Sequence, residues 1–176
     1  MKLFTIGTDH RKSYDFTRLL LKYGIEVIVD VRRTPEAQED YFRRDGLQAL
    51  VAAQGLDYIY LGNELGAPHS MSTGQWLASD EFRRGIDIIR TKAGKRVCCV
   101  LCSERLPEHC HRLTVANELS KSGIEVMHIL DEASTWQPPP PNARPRRPDS
   151  YDQRRSGHGR PPPRPGRRGD NYNRPR

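Results

Sequence analysis

The chain has 176 residues, enough for one domain of ordinary size and a further segment. Residues 136–176 contain 11 of the 14 prolines and 11 of the 29 lysine and arginine residues, against three aspartates, so their net charge is +8. Because the whole chain carries +7, residues 1–135 sum to −1. No apolar run approaches the ~18 residues of a membrane span, which excludes a transmembrane segment.

Short apolar runs alternate with amphipathic segments along residues 1–135. The period of the apolar residues and the length of each segment distinguish the strands from the helices. The predicted strands cover residues 3–7, 27–31, 58–61, 97–102 and 124–130. The predicted helices cover residues 14–23, 46–53, 80–93 and 107–122.

This alternation predicts an α/β fold, namely a three-layer, Rossmann-like doubly wound parallel sheet of about five strands. The run Val97–Cys102 is apolar throughout, as is typical of a strand buried on both faces. Neither G-x-G-x-x-G after the first strand nor a G-K-[ST] loop is present, so no dinucleotide or other cofactor is predicted. The domain boundaries are 1–135 for the folded part and 136–176 for a disordered tail rich in Pro, Arg and Gly.

Polar side chains follow the strands at the points where they end. In a parallel sheet these ends share one edge, where open α/β sheets bind their ligands. The side chains brought to this edge are Thr8, Asp9, His10, Arg11, Asp30, Arg32, Arg33, Asn63, Glu64, Cys102, Glu104, Arg105, Cys110, His111 and Arg112.

Arg112 continues the apolar stripe of the last predicted helix up to this edge. An arginine there can fork onto a phosphate or carboxylate, beside helix-terminal N–H groups that favour anions. Alternatively, Arg112 pairs with Asp30 or Glu104 and fixes the loops. Asp30 is itself notable, because a carboxylate in a buried strand is costly unless donors meet it.

Three of the four cysteines occupy one apolar strand, which predicts reduced thiols and a cytoplasmic protein. Cys98 and Cys99 are expected in the core as small hydrophobic residues. Cys102 ends the strand and Cys110 is expected in the first helical turn, whose dipole favours a thiolate. A metal site of Cys102, Cys110 and a histidine is an alternative, but the spacing matches no standard zinc pattern and Cys99 and Cys102 should face opposite sides of the sheet, so no metal is predicted.

The tail allows three interpretations. Arginines separated by Gly, Pro and an occasional Tyr are typical of sequence-tolerant nucleic-acid binding, or of a solvated linker. The run over 160–165 also fits the proline-rich ligands of SH3-type grooves.

Six blocks along the chain resemble, in order, the landmarks of the DUF488 family, a domain of unknown function. They are Phe4-Thr5-Ile6-Gly7, Val29-Asp30-Val31-Arg32 with Pro35, residues 58–61 followed by Leu65-Gly66, Leu101-Cys102-Ser103-Glu104, Cys110-His111-Arg112 and Val126-Met127-His128-Ile129. The resemblance spans residues 3–130. It implies a compact α/β domain whose signature residues lie at one sheet edge.

By position, the resemblance places the family's signature at Gly7, Asp30, Arg32, Gly66, Cys102, Glu104, Cys110, His111 and Arg112. The chain differs from the family pattern at two places. Thr8-Asp9 stand where the family usually has His-Ser, with His10 two positions later, and Gly66-Ala67 replace paired glycines.

These patterns predict an enzyme or ligand-processing domain for a small anionic ligand, phosphate-bearing or nucleotide-like. The predicted catalytic residues are Asp30, Cys102, Glu104, Cys110 and His111. The predicted substrate-binding residues are Gly7, Asp9, His10, Arg32, Gly66 and Arg112. The alternative is a nucleic-acid-associated adaptor whose tail, residues 136–176, contacts RNA or DNA.

Overall fold

The computed structural model describes residues 1–138, in which six strands form a single sheet. The strands are β1 (Lys2–Gly7), β2 (Val27–Asp30), β3 (Asp57–Tyr60), β4 (Cys98–Cys102), β5 (Glu125–Ile129) and β6 (Thr135–Trp136). Their order across the sheet is β3-β2-β4-β1-β5-β6, and all neighbours are parallel except β5 and β6. The predicted disordered tail lies, from residue 139 onwards, outside the described residues.

Helices cover both faces of the sheet. They are α1 (Ser13–Lys22), α2 (Arg44–Ala52), α3 (Gly62–Leu65), α4 (Thr73–Ala78), α5 (Asp80–Ala93) and α6 (Arg112–Lys121), with short 3-10 helices at Asp40–Phe42 and Pro107–His109. Apolar residues of α1 and α2 pack in one core, and those of α3 to α6 pack in the other. The predicted three-layer α/β fold with a mainly parallel sheet is therefore confirmed.

Strand β6 and helices α3 and α4 lie beyond the sequence prediction. Strand β6 pairs antiparallel with β5, and its two residues are too few to show a periodicity. Helix α4 forms in a segment for which no helix was predicted. A capping box between Ser72 and Gln75 starts it, with the Ser72 side chain accepting from the Gln75 N–H.

The carboxyl ends of the three central strands meet at one edge, as predicted. In the register of the sheet, Gly7 lies beside Cys102, and Asp30 lies beside Leu101. This edge therefore brings together residues that are about seventy to a hundred positions apart in the chain. Among residues 1–138, no helix has the length and apolar character that crossing a membrane requires.

His128 of β5 is a buried histidine, and it gives a pH-dependent term in stability. Its Nδ1 lies 2.7 Å from Thr5 Oγ1, and burial, together with the Arg112 charge, lowers its pKa from 6.5 to about 4. The folded state therefore holds a neutral imidazole that the unfolded chain protonates near pH 6.5.

We expect the free energy of unfolding to fall as the pH drops from 6.5 towards 4. The His128 contribution reaches about 3 kcal/mol below the lower pKa. Denaturant unfolding at several pH values checks this, with His128→Phe as the comparison. Between pH 6.5 and 4, the free energy of unfolding of the variant must depend less on pH than that of the natural chain. Equal dependence would contradict the role assigned to His128.

Candidate functional site

Cys102 lies at the end of β4, where the sheet edge meets the core formed by α3 to α6. Side chains of a strand alternate between faces, so Cys98 and Cys102 belong to this core and Cys99 to the opposite one. Cys98 and Cys99 are completely buried, as predicted for core residues. No disulfide joins any of the four cysteines, all of which lie within residues 1–138.

Cys110 lies immediately before the last helix rather than in its first turn. The predicted helix start at Pro107 forms only a single 3-10 turn, and the chain is extended again at Cys110 (φ −129°, ψ 138°). Helix α6 begins at Arg112, two residues later. The Arg112 backbone N–H donates to Cys110 Sγ at 3.5 Å, so the thiol still faces the positive end of the helix.

Four predicted catalytic side chains come together at this point, and we call Cys102, Glu104, Cys110 and His111 the thiol cluster. Cys102 Sγ lies 3.5 Å from Glu104 Oε2 and 3.7 Å from His111 Nδ1. The two sulfur atoms and an imidazole nitrogen of His111 all lie within 4.8 Å of one another. Cys102 and Cys110 are only 2% and 6% exposed, whereas His111 is half-buried and Glu104 is exposed to solvent.

The two thiols have opposite electrostatic environments. A hydrogen bond from the Cys102 thiol, supported by the Arg112 charge, lowers the pKa of Cys110 against the effect of burial. The hydrogen bond to Cys110, burial and the nearby Glu104 charge raise the pKa of Cys102. Burial acts to raise the pKa of Glu104, but the two thiols and other donors outweigh it and lower that pKa. Of the two thiols, Cys110 is therefore the one whose surroundings favour the thiolate.

The surroundings of His111 favour the neutral imidazole and define its tautomer. Burial lowers its pKa, with contacts to Val31 and Glu104 acting in the opposite direction. Its Nε2 lies 3.0 Å from the Val31 carbonyl oxygen, which can only accept, so Nε2 carries the proton. Cys102 Sγ lies beside the ring, 3.7 Å from the unprotonated Nδ1 and 3.8 Å from Nε2.

Asp30 and Arg32 form a buried ion pair beneath the sheet edge. The Arg32 Nε and an Arg32 terminal nitrogen donate to the two Asp30 carboxylate oxygens at 2.9 and 2.6 Å. The Tyr58 hydroxyl donates to the same carboxylate at 2.8 Å, and burial with the Asp30 charge raises the Tyr58 pKa. A further Arg32 donor is bound to the Phe42 carbonyl at 2.7 Å. This inward placement argues against direct contact of either charged group with a ligand.

Arg112 is completely buried and also faces the protein. Its guanidinium donates to the backbone carbonyls of Glu104 and Arg105, the second at 2.8 Å. It thus holds the loop that carries Glu104, through main-chain oxygens rather than through the carboxylates of Asp30 or Glu104 expected from the sequence. This geometry favours a positioning role over the predicted ligand contact.

The predicted binding glycines mark close approaches of the backbone. A Cβ on Gly7 would lie 2.0 Å from the Glu104 carbonyl oxygen, and one on Gly66 would lie 2.4 Å from the Gly62 carbonyl oxygen. Gly7 therefore allows β1 and the Glu104 loop to pack directly against each other. Gly66 likewise allows the backbone at the end of α3 to pack closely against the Gly62 carbonyl.

Two cavities open at this edge, one next to each core. Some of the predicted site residues line the first cavity, and others line the second. The His10 cavity, about 390 Å³, is lined by Thr8, Asp9, His10, Arg11, Lys12, Glu36, Ala37, Gln38, Glu39, Phe42 and Ser103. The Trp76 cavity, about 330 Å³, is lined by Ala67, Pro68, Met71, Thr73, Trp76, Glu108, His109, Cys110, His111 and Thr114. Asp9 and His10 thus lie in a different cavity from Cys110 and His111.

Trp76 is a site residue absent from the sequence prediction. Its ring centre lies 6.1 Å from that of His111, and its buried indole N–H has no partner among residues 1–138. The signal that can reveal it is the Ser72-x-x-Gln75 capping box, which starts α4 and directs Trp76 inward.

Fold and site together define an α/β domain with a polar, thiol-containing centre at the carboxyl edge of its parallel strands. The family described as domain of unknown function DUF488 matches residues 12–119, and the chain belongs to that family. This match contains every residue of the thiol cluster, whereas Gly7, Asp9 and His10 lie outside it. Neither a curated protein nor a solved structure matches the chain.

Proposed function

We propose that this domain is a thiol-dependent enzyme that acts on a small substrate in the Trp76 cavity, with Cys110 as the nucleophile. One observation carries this proposal. Cys110 Sγ accepts the N–H that begins α6, lies within 4.8 Å of the Cys102 sulfur, and lines a cavity of about 330 Å³. That volume suits a small-molecule ligand.

The chemistry follows the placement of the cluster. The Cys110 thiolate forms a bond to the electrophilic atom of the substrate, and the leaving group departs with the electron pair of its own bond. Water then attacks the adduct, the Glu104 carboxylate takes the proton of that water, and the Cys110 thiolate leaves. The proton on Glu104 passes to solvent, which restores both groups.

An anionic, phosphate-bearing substrate is the class that this proposal favours. Two histidines, His109 and His111, line the cavity next to the start of α6, where the helix dipole is positive. In this account Arg32 and Arg112 act as positioning residues, because their donors already hold Asp30 and the Glu104 loop.

The test uses para-nitrophenyl phosphate as an anionic probe and para-nitrophenyl acetate as a neutral one. We expect the full chain to release nitrophenolate from the phosphate, and Cys110→Ser to reduce the rate to that of the uncatalysed reaction. Cys98→Ser is the matched control, because that thiol is completely buried in β4 and does not line the Trp76 cavity. Equal rates for Cys110→Ser and the natural chain with both probes would contradict the proposal.

A second proposal concerns the basic segment. Residues 136–176 carry a net charge of +8 while residues 1–135 carry −1, a division that favours electrostatic contact of the segment with nucleic acid. We expect the full chain to bind RNA and DNA with an affinity that falls steeply as salt rises. Deletion of residues 139–176 must remove most of that salt dependence, and unchanged binding after deletion would contradict this role.

A further inference from the structure

We infer that Cys102, Cys110 and His111 form a binding site for a zinc-type divalent cation, with a fourth coordination position open to the Trp76 cavity. This inference goes beyond the proposed function, because neither the family nor the nucleophile role requires a metal. The sequence spacing predicted none, since eight positions separate the two cysteines and no standard zinc pattern has this form.

The distances between the ligand atoms fit one tetrahedral ion. Zinc binds sulfur at about 2.3 Å and nitrogen at about 2.0–2.1 Å, so two ligands of one tetrahedron lie about 3.5–3.8 Å apart. Cys102 Sγ lies 3.7 Å from His111 Nδ1, and all three ligand atoms lie within 4.8 Å of one another. An ion at their centre therefore requires the ligand atoms to approach one another by about 1 Å at most.

His111 has the outer contact that metal-binding histidines use. Its Nε2–H donates to the Val31 carbonyl at 3.0 Å, which holds the ring beside Cys102 Sγ and leaves Nδ1, 3.7 Å from that sulfur, unprotonated. Zinc-bound histidines typically donate their other ring N–H to a carbonyl or carboxylate in this way. The Val31 carbonyl that orients the His111 ring lies directly after β2, in a part of the chain separate from both cysteines.

Charge and ligand type select the class of ion. Two thiolates and a neutral imidazole carry a charge of −2, which a divalent cation neutralises in a site whose cysteines are almost completely buried. Sulfur ligands favour zinc-type ions over Mg²⁺ and Ca²⁺, which prefer oxygen. Three protein ligands leave one position free, and Cys110 and His111 both line the cavity that reaches it.

Cys110 cannot bind the metal ion and act as a nucleophile at the same time. An ion bound to Cys110 holds the electron pair with which that sulfur attacks a substrate. We therefore expect Zn²⁺ to inhibit the proposed thiol chemistry reversibly, and a chelator to restore it.

The test is a titration of the reduced full chain with Co²⁺, which reports thiolate ligands in a tetrahedral site by a charge-transfer band and ligand-field bands. We expect one equivalent to bind and Zn²⁺ to displace it. Cys102→Ser and Cys110→Ser must each remove most of the charge-transfer band, and His111→Ala must weaken binding. Cys98→Ser and His109→Ala are the matched controls and must leave the spectrum unchanged. Circular dichroism confirms that each variant is folded.

Absence of a charge-transfer band at stoichiometric Co²⁺ would overturn the inference, as would a band that Cys98→Ser removes and Cys110→Ser retains. The proposed function is tested separately, by the reaction of Cys110 with an electrophile after the protein has been treated with a chelator. A reactive Cys110 without Co²⁺ binding refutes the metal site alone. Co²⁺ binding with an inert Cys110 refutes the nucleophile alone.

Discussion

Replacing Asp30 with asparagine is expected to lower the free energy of unfolding by about 3–5 kcal/mol, the largest effect on stability in this domain. Asp30 is completely buried, and its carboxylate accepts two hydrogen bonds from the Arg32 guanidinium and one from Tyr58. The substitution leaves the Arg32 charge buried without a counterion. Denaturant unfolding followed by circular dichroism measures the change.

A matched control separates this effect from the loss of an ordinary ion pair. Asp57 of β3 pairs with Arg96 at the surface, with its side chain 63% exposed, so Asp57→Asn is expected to cost less than about 1 kcal/mol. The double variant Asp30→Asn with Arg32→Met removes both charges and must recover part of the loss. If Asp30→Asn is as stable as Asp57→Asn, the buried pair does not support the sheet edge.

Gly7→Ala is expected to destabilise the domain by about 3 kcal/mol. The added methyl group would lie 2.0 Å from the Glu104 carbonyl oxygen and 2.9 Å from the Arg105 Cα, both backbone atoms that no side-chain rotation can move away. The whole Glu104 loop must shift, and with it one member of the thiol cluster. The variant must therefore lose both stability and the reactivity of Cys110.

Gly74→Ala is the control for this substitution. Gly74 lies in the first turn of α4, and no atom lies within 4 Å of the position of its Cβ, so alanine there is expected to be neutral or slightly stabilising. A Gly7→Ala protein that unfolds at the same denaturant concentration as Gly74→Ala would show that the loop adapts freely. The close packing of β1 and the Glu104 loop would then have no role in the site.

The fold was predictable where a hydrophobic pattern extends over several residues that all share the same degree of burial. The run Val97–Cys102 is apolar throughout because β4 has a core on each face, and it lies between β1 and β2 in the sheet. Strand β6 and helix α3 have two and four residues, too few to show a period. The break at Cys110 escapes prediction because Pro107 starts a 3-10 turn as readily as an α-helix.

The sequence could predict which residues come together at the site, but not how their side chains are oriented. Parallel strands bring their carboxyl ends together, which is why Cys102, Cys110 and His111 are neighbours. Whether an arginine faces a ligand or the protein depends on nearby carbonyl groups. Arg112 faces inward because the Glu104 and Arg105 carbonyls turn towards it, and one sequence does not encode that turn in any local pattern.

The most direct test of the central claim is the alkylation rate of each cysteine in the folded, chelator-treated full chain at neutral pH. Iodoacetamide labelling followed by peptide mass spectrometry resolves the four thiols. We expect Cys110 to react first and Cys102 more slowly, because Cys110 lines the Trp76 cavity and accepts hydrogen bonds that stabilise its thiolate. Cys98 and Cys99, completely buried in the two cores, must react only on unfolding. Labelling of Cys110 no faster than Cys98 and Cys99 would contradict a reactive thiol at this edge.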